Sequence, residues 1–319
     1  MIGTDLQRAK DFLLSGQLVA IPTETVYGLA GNAYDERAVA EIFRVKNRPQ
    51  FDPLIVHTTG LERAAEFLQA VPSWAEALAG RFMPGPLTLL LPRNDRIPDL
   101  VTSGSSLVAV RLPRHPQTRA LLEALPFPLA APSANPFGYI SPTTARHVAD
   151  QLGDRIPYIL DGGPCTVGIE STIVGFEDDR PVVFRKGGVS IEAIEAVIGP
   201  VVVRAHSTSN PQAPGMLKSH YAPRVPLVLA EEGKVAEAIA RYRDRQVGVI
   251  SFSRRLPELP ADRQAVLSSA GDYAEAARHL FAALRELDAL PLDLIVAELL
   301  PEVDLGRAIN DRLRRAAAG

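Results

Sequence analysis

The sequence predicts an α/β protein of two domains: a larger unit with a twisted mixed sheet, then a smaller α/β unit. Three observations predict it. Short β-branched runs alternate with amphipathic windows of helical period from the N-terminus to Val203. The alternation lapses between Arg204 and Pro226, where turn formers dominate and neither period is present. And 319 residues exceed what a single hydrophobic core comfortably holds, roughly 250–300.

The elements follow in order. Residues 4–15 are an amphipathic window, and Leu18-Val19-Ala20-Ile21 is a strand that Pro22 stops. Thr23-Glu24-Thr25 then leads into an expected helix start. Residues 36–46 are helical, and Pro53-Leu54-Ile55-Val56-His57 resumes extended chain. Helical windows at 73–81, 116–124, 143–150 and 190–198 alternate with strands at 87–91, 107–111, 156–160, 172–176 and 182–184. The 27 prolines are dispersed and mark the ends of elements. The first domain is therefore 1–203, the linker 204–226 and the second domain 227–319. In that second unit, strands are expected at 227–229, 246–251 and 294–296. Tyr273, Ala277, Leu280, Phe281, Leu284 and Leu287 share one helix face, as do Leu305, Ile309 and Leu313 on the last helix. There is no internal repeat.

Composition narrows the chemistry. With 34 basic and 37 acidic residues the net charge is −3, and neither half is basic enough to bind nucleic acid through bulk charge. Cys165 is alone, which excludes an intramolecular disulfide, a cysteine zinc site and an iron–sulfur cluster. No apolar run approaches the ~18 residues of a membrane span. Asp5 and Asp11 around Phe12-Leu13-Leu14 do not read as a signal peptide, so no membrane contact and a cytoplasmic protein are expected. The chain has no G-x-x-x-x-G-K-S/T loop, G-x-G-x-x-G fingerprint, H-E-x-x-H helix or G-x-S-x-G elbow. Its six histidines are scattered singly.

Four constellations remain. In Ile21-Pro22-Thr23-Glu24-Thr25-Val26-Tyr27-Gly28-Leu29, Thr23 and Thr25 either cap a helix or orient a polar ligand. In Phe43-Arg44-Val45-Lys46-Asn47-Arg48-Pro49, Lys46 and Arg48 suit a helix C-terminus or clamp a polyphosphate. His57 ends the next strand, and Arg111 ends another, where open α/β sheets gather their ligands. In Ala130-Ala131-Pro132-Ser133-Ala134-Asn135-Pro136 two prolines hold Ser133 and Asn135 in place, as a turn or as a site. Last comes Gly168-Ile169-Glu170-Ser171-Thr172, followed by Phe184-Arg185-Lys186-Gly187-Gly188, which suits an anion cradle or a plain β-turn.

Taken together and in order across residues 18–188, these segments resemble the YrdC/Sua family, the L-threonylcarbamoyladenylate synthases, by its P-T-E-T-x-Y-G-L, K-x-R-P…P-L, S-A-N and E-S-T-I/V patterns. Ser219-His220-Tyr221-Ala222-Pro223 resembles the linker motif of the longer, two-domain members, and Gly306-Arg307-Ala308-Ile309-Asn310-Asp311-Arg312 their C-terminal helix. The resemblance is weakest between about 227 and 300.

The resemblance implies a YrdC-like domain with a deep, positively lined cavity, a Rossmann-like second domain, and a linker that folds over the cavity. It implies the joining of L-threonine and bicarbonate or CO2 to the α-phosphate of ATP, giving threonylcarbamoyl-AMP and pyrophosphate. A separate tRNA threonylcarbamoyltransferase machinery then uses the product beside the anticodon, and a weak contact with tRNA itself stays open. Thr25, His57, Arg111, Ser171 and the backbone at Ala131 match positions around threonine. Lys46, Arg48, Ser133, Asn135, Ser141, Arg185 and Tyr221 match positions around ATP, with Lys46 and Arg48 as the expected catalytic pair. Mg²⁺ is expected on phosphate oxygens, since the sequence has no dedicated carboxylate cluster, and no prosthetic group is implied. Two other readings meet obstacles in the composition. A noncatalytic RNA-binding or ribosome-associated factor meets the acidic first domain, and a hydrogenase-maturation carbamoyltransferase would need cysteines that the chain lacks.

Overall fold

The computed structural model describes residues 1–178, 180–204 and 220–319. The 205–219 part of the expected linker, with Ser219 of its motif, lies outside the described residues.

Eleven strands form the first sheet: β1 (Ile2–Gly3), β2 (Val19–Ile21), β3 (Gly28–Asn32), β4 (Ile55–His57), β5 (Leu87–Pro92), β6 (Leu107–Arg111), β7 (Leu129–Ala130), β8 (Tyr158–Leu160), β9 (Thr172–Glu177), β10 (Arg180–Arg185) and β11 (Val202–Val203). Their order is β1-β8-β2-β3-β7-β4-β6-β5-β9-β10-β11, with parallel and antiparallel pairs mixed. Around this sheet lie α1 (Leu6–Leu14), α2 (Glu36–Lys46), α3 (Leu61–Ala64), α4 (Ser73–Phe82), α5 (Asp99–Thr102), α6 (Pro116–Ala124), α7 (Ala145–Leu152) and α8 (Ile191–Ile198). Caps define several of them. Asp35, Thr144 and Ser190 accept from the first-turn amides of α2, α7 and α8, each worth about 1 kcal/mol. The mixed-sheet expectation is met, and α2 and α6 keep the expected bounds.

The second sheet is all-parallel, in the order β12-β15-β13-β14, built from β12 (Leu227–Ala230), β13 (Val247–Ser251), β14 (Gln264–Val266) and β15 (Leu294–Glu298). It is flanked by α9 (Val235–Ala240), α10 (Tyr273–Asp288) and α11 (Gly306–Ala316). Leu280, Phe281, Leu284, Ile295, Ile309 and Leu313 form its apolar core. That core does not close on itself. Val26, Ile140 and Ile169 of the first unit, and Tyr221, belong to the same cluster. Among the described residues no helix is long and apolar enough to cross a membrane.

One expectation is corrected. Thr23-Glu24-Thr25 does not start a helix; it turns the chain from β2 into β3, which runs antiparallel to it with Val19 opposite Ala30 and Ile21 opposite Gly28. The reason is non-local. Gly28-Leu29-Ala30-Gly31 has little helical preference, and β2 and β7 supply ladder partners on both sides.

Candidate active site

A single register row crosses the first sheet. His57 on β4 lies opposite Leu129 of β7 and Arg111 of β6; Arg111 lies opposite Thr88 of β5; Thr88 and Arg185 both lie opposite Ile173 of β9. Directly paired residues share a face, so strands far apart in sequence present His57, Arg111 and Thr88 side by side, with Arg185 beyond Ile173 where the register of β10 shifts. His57, Arg111 and Arg185 each end their strand, which is where an open α/β sheet builds sites.

The Thr23–Val26 turn sits against this row. Thr23 Oγ1 donates to the Val26 carbonyl at 2.6 Å and accepts from the amides of Thr25 and Val26 at 3.2 Å. It therefore organises a turn, and Thr25 is neither cap nor first helical residue. Glu24 reaches Arg111 at 2.7 Å and accepts from the Arg114 amide at 3.0 Å. Gly28 allows a close approach: a Cβ there would meet that of Ala131 at 3.3 Å.

The second wall comes from the end of α2 and the 130–141 loop. Lys46 closes the helix, and Asn47 caps it in the left-handed region at φ 53°. Lys46 Nζ donates to the carbonyls of Ser133 and Asn135, both at 2.5 Å. Arg48 is pinned by Asp52 at 2.9 Å and by the carbonyls of Asp52 and Pro53. Asn135 Nδ2 holds the carbonyls of Pro136 and Tyr139.

These parts line one cavity, partly open to solvent. Of the residues expected from sequence, Thr25, His57, Arg111 and Ala131 line it together with Arg48, Ser133, Arg185 and Tyr221. Lys46, Asn135, Ser141 and Ser171 stand directly behind the wall. Lys46 and Asn135 hold the 133–139 loop, Ser141 donates to Glu170 at 2.6 Å, and Ser171 touches Thr88 at 2.7 Å and accepts from Arg185 at 2.9 Å. The paired glycines after Arg185 are not an anion cradle. The Gly188 amide is spent on the Glu170 carbonyl at 2.9 Å, and a Cβ on Gly187 would lie 2.4 Å from that carbonyl oxygen. Crowding accounts for them, by the Glu170–Ser171 backbone at Gly187 and by the Pro86 and Val167 side chains at Gly188.

Charge is concentrated here. Arg48, Arg111 and Arg185 line the cavity with Glu170 as the facing acid. Burial, then the neighbouring Arg111, pushes the His57 imidazole down to about 3, so the ring is neutral at working pH. Burial likewise lowers Arg185 to about 10 and carries Lys46 well below its usual value, with Arg48 adding to the effect on Lys46. Burial raises the Glu170 carboxyl, but Arg312 and Arg185 outweigh it and hold the group ionised.

Several residues at the site carry little signal of their own in the sequence. Glu24, Glu170 and His220 lie inside the motifs quoted above, but their partners are distant in the chain. Thr88 carries only the faint signal of one hydroxyl in the apolar run Leu87-Thr88-Leu89-Leu90-Leu91. Tyr221, at φ 66° and fully buried, packs between Arg315 at 4.8 Å, Phe281 at 5.3 Å and His220 at 4.2 Å. Burial, then Arg315, Arg48, Lys46 and Arg185, holds the His220 ring well below its usual pKa. The described end of the linker thus sits in the wall, among the cations.

Comparison with known proteins bears on what this cavity does. The Sua5/YciO/YrdC family profile, described as "Telomere recombination", matches residues 11–187, and the profile "Threonylcarbamoyl-AMP synthase, C-terminal domain" matches residues 189–318. A threonylcarbamoyl-AMP synthase of Pyrococcus abyssi is 41% identical over 97% of this chain and 93% of its own length. One of Bacillus subtilis is 40% identical over 98% and 93%. The crystal structure of P. abyssi Sua5 complexed with L-threonine superposes with a TM-score of 0.92 at 41% identity, covering 98% of this chain and 94% of that one.

Proposed function

The chain belongs to the Sua5/YciO/YrdC family, and from that premise we propose that it joins L-threonine, bicarbonate or CO2 and ATP into threonylcarbamoyl-AMP and pyrophosphate. It is an adenylyl-transferring enzyme. The observation that carries the reading is the cavity itself. We assign Thr25, His57 and Arg111 to one end of this space, which is partly open to solvent, and Arg48, Arg185, His220 and Tyr221 to the other.

The first end suits an amino acid. Arg111 offers N–H donors to a carboxylate, and Glu24 holds its guanidinium in place. Ser171 and the Ala131 backbone complete that end. The amine attacks the carbon of CO2 and loses a proton, giving an N-carboxylate. That carboxylate oxygen is already anionic and attacks the α-phosphorus of ATP, so the adenylation step needs positioning more than a base. Arg48 and Arg185 face the triphosphate and take up charge that grows on the leaving pyrophosphate. Lys46 and Asn135 set the loop that presents Ser133, while Ser141, through Glu170, and Tyr221 complete the nucleotide end. The N-carboxylate loses CO2 readily and the adenylate hydrolyses, so the site has to keep water from both.

ATP brings Mg²⁺ in this scheme. Among the described residues no group of three or more His, Cys, Asp or Glu could hold a metal. Glu170, the acid in the wall, has its two oxygens on Arg312 and Ser141. Mg²⁺ arriving with ATP would be held by the phosphate oxygens, where it would offset charge on the leaving pyrophosphate. The division into 1–203, linker and 227–319, a cytoplasmic location, delivery of the product to a tRNA threonylcarbamoyltransferase and a weak tRNA contact belong to the same proposal.

The test is direct. Purified protein with ATP, L-threonine and bicarbonate yields threonylcarbamoyl-AMP and pyrophosphate, separated by chromatography. Product without threonine, or none with all three substrates, overturns the reading.

A further inference from the structure

We propose that Asp288 of α10 is a positioning residue for the nucleotide: through the Tyr139 hydroxyl it sets the 133–141 loop. ATP affinity then depends on a carboxylate of the second unit, while the amino-acid end does not. The proposal rests on the reading of this cavity as an ATP site.

The loop has little regular structure to hold it. Ser133 bridges to Gly28, but residues 135–141 belong to no helix or strand. Side chains set their position instead. On one side Lys46 Nζ donates to the Ser133 and Asn135 carbonyls, and Asn135 Nδ2 donates to those of Pro136 at 2.8 Å and Tyr139 at 2.9 Å. The Asn135 amide is thereby fixed, with its Oδ1 buried and without a hydrogen-bond partner among the described residues. A buried acceptor in that state is satisfied by a donor on a ligand.

On the other side the anchors come from α10 and residues 222–225. Arg285 and Asp288 stand three apart on one face of the helix. Arg285 donates to the carbonyls of Ile140 and Ser141, and its guanidinium lies 5.2 Å from the centre of the Tyr139 ring. The Tyr139 hydroxyl donates to Asp288 Oδ2; burial, then that carboxylate, raises the phenol to about 12, so its proton stays in place. The Asp288 side chain is 0% exposed and also accepts from the Val225 amide at 2.8 Å and from Arg224 Nε at 3.2 Å. A buried carboxylate so partnered is a fixed point, because leaving its partners strands a charge. Tyr139 is therefore held at both ends, by its hydroxyl on α10 and by its carbonyl on Asn135. Arg111 and His57 stand outside this path: Arg111 bonds to Glu24 and Gly85, and His57 to Ile55, all within the first unit.

The experiment uses the full chain and follows pyrophosphate release with bicarbonate present, varying ATP and L-threonine in turn. Tyr139→Phe removes the hydroxyl and keeps the ring. It is expected to raise KM for ATP about ten-fold, with kcat and KM for L-threonine within about two-fold of the parent. Asp288→Ala is expected to raise KM for ATP at least as much, and the double variant no further than Asp288→Ala alone. If Asp288→Ala does not fold, Tyr139→Phe still separates the two KM values. A rise in both KM values together, or a fall in kcat alone, would mean a merely structural role. An unchanged KM for ATP would mean no role, and single effects that multiply in the double variant would mean that Tyr139 and Asp288 act separately. Each of these overturns the proposal. A parent chain that releases no pyrophosphate overturns the reading of the cavity as an ATP site, and so separates the two failures.

Discussion

Arg312 on α11 donates from Nε to Glu170 Oε2 at 3.0 Å, across 142 residues of sequence. The arginine side chain is 0% exposed, and Glu170 lies in the wall of the cavity. The other Glu170 oxygen accepts from Ser141. The smaller unit thus supplies the counter-charge for an acid of the larger unit's site.

Breaking that pair from one side should be costly. Arg312→Met leaves the Glu170 carboxylate buried without its main partner, a loss of about 3–5 kcal/mol. Urea unfolding of the full chain measures it. Arg312→Met combined with Glu170→Gln should recover part of the loss, because the stranded charge is gone. A double variant as unstable as the two losses added together would show that the residues act independently.

A chain ending at Arg204 should fold poorly and make no product. Its removal of the second sheet bares Val26, Ile140 and Ile169, which now share a cluster with Leu280, Phe281 and Ile309. Each apolar side chain exposed forfeits roughly 1.5–3 kcal/mol. Scanning calorimetry should show a lower melting temperature than the full chain, and an unchanged melting temperature with full synthesis would refute the prediction.

Stability should fall on acidification below about pH 6.5. His57 is held neutral with its pKa at about 3 and His147 at about 4, both chiefly by burial. Between those values and the ordinary ~6.5 the unfolded chain binds protons that the folded chain refuses, so unfolding becomes easier as pH drops. In that window His57 costs up to about 1.4 kcal/mol per pH unit and the half-buried His147 less, because solvent screens it; neither acts above the window. His57→Gln should flatten the slope of stability between pH 6.5 and 4.

ATP binding should be linked to proton uptake. Burial, then Arg48, lowers the Lys46 amine well below its usual pKa, and a triphosphate in the cavity, across the wall that Lys46 braces, favours the ammonium again. Calorimetric binding enthalpies in buffers of different ionisation heat should therefore differ, in the direction of proton uptake. Lys46→Met should abolish that buffer dependence. An enthalpy that is the same in every buffer for the parent chain would count against it.

Much of this protein is legible in its sequence because much of it is local. The helices 36–46 and 116–124 follow from apolar period and from what flanks them, Asp35 at one and Pro116 at the other. The motif residues that carry the chemistry, from Thr25 to Arg185, are visible as residue types in order. The turn at Thr23 is not legible, because nothing within it says whether the next residues will find strands to pair with. Strands β1, β11 and β14, of two or three residues, exist only because neighbours supply their hydrogen bonds.

The sequence by itself therefore determined the alternating architecture, the family resemblance and the inventory of site residues. Tertiary structure alone decided which of them meet: that His57, Arg111 and Thr88 share one row with Arg185 beyond Ile173, that Lys46 braces a loop behind the wall, and that Arg312 reaches Glu170. The reason is physical. Periodicity and capping act over a few residues, whereas strand register and the pairing of buried charges depend on segments that come together only when the chain has folded back on itself.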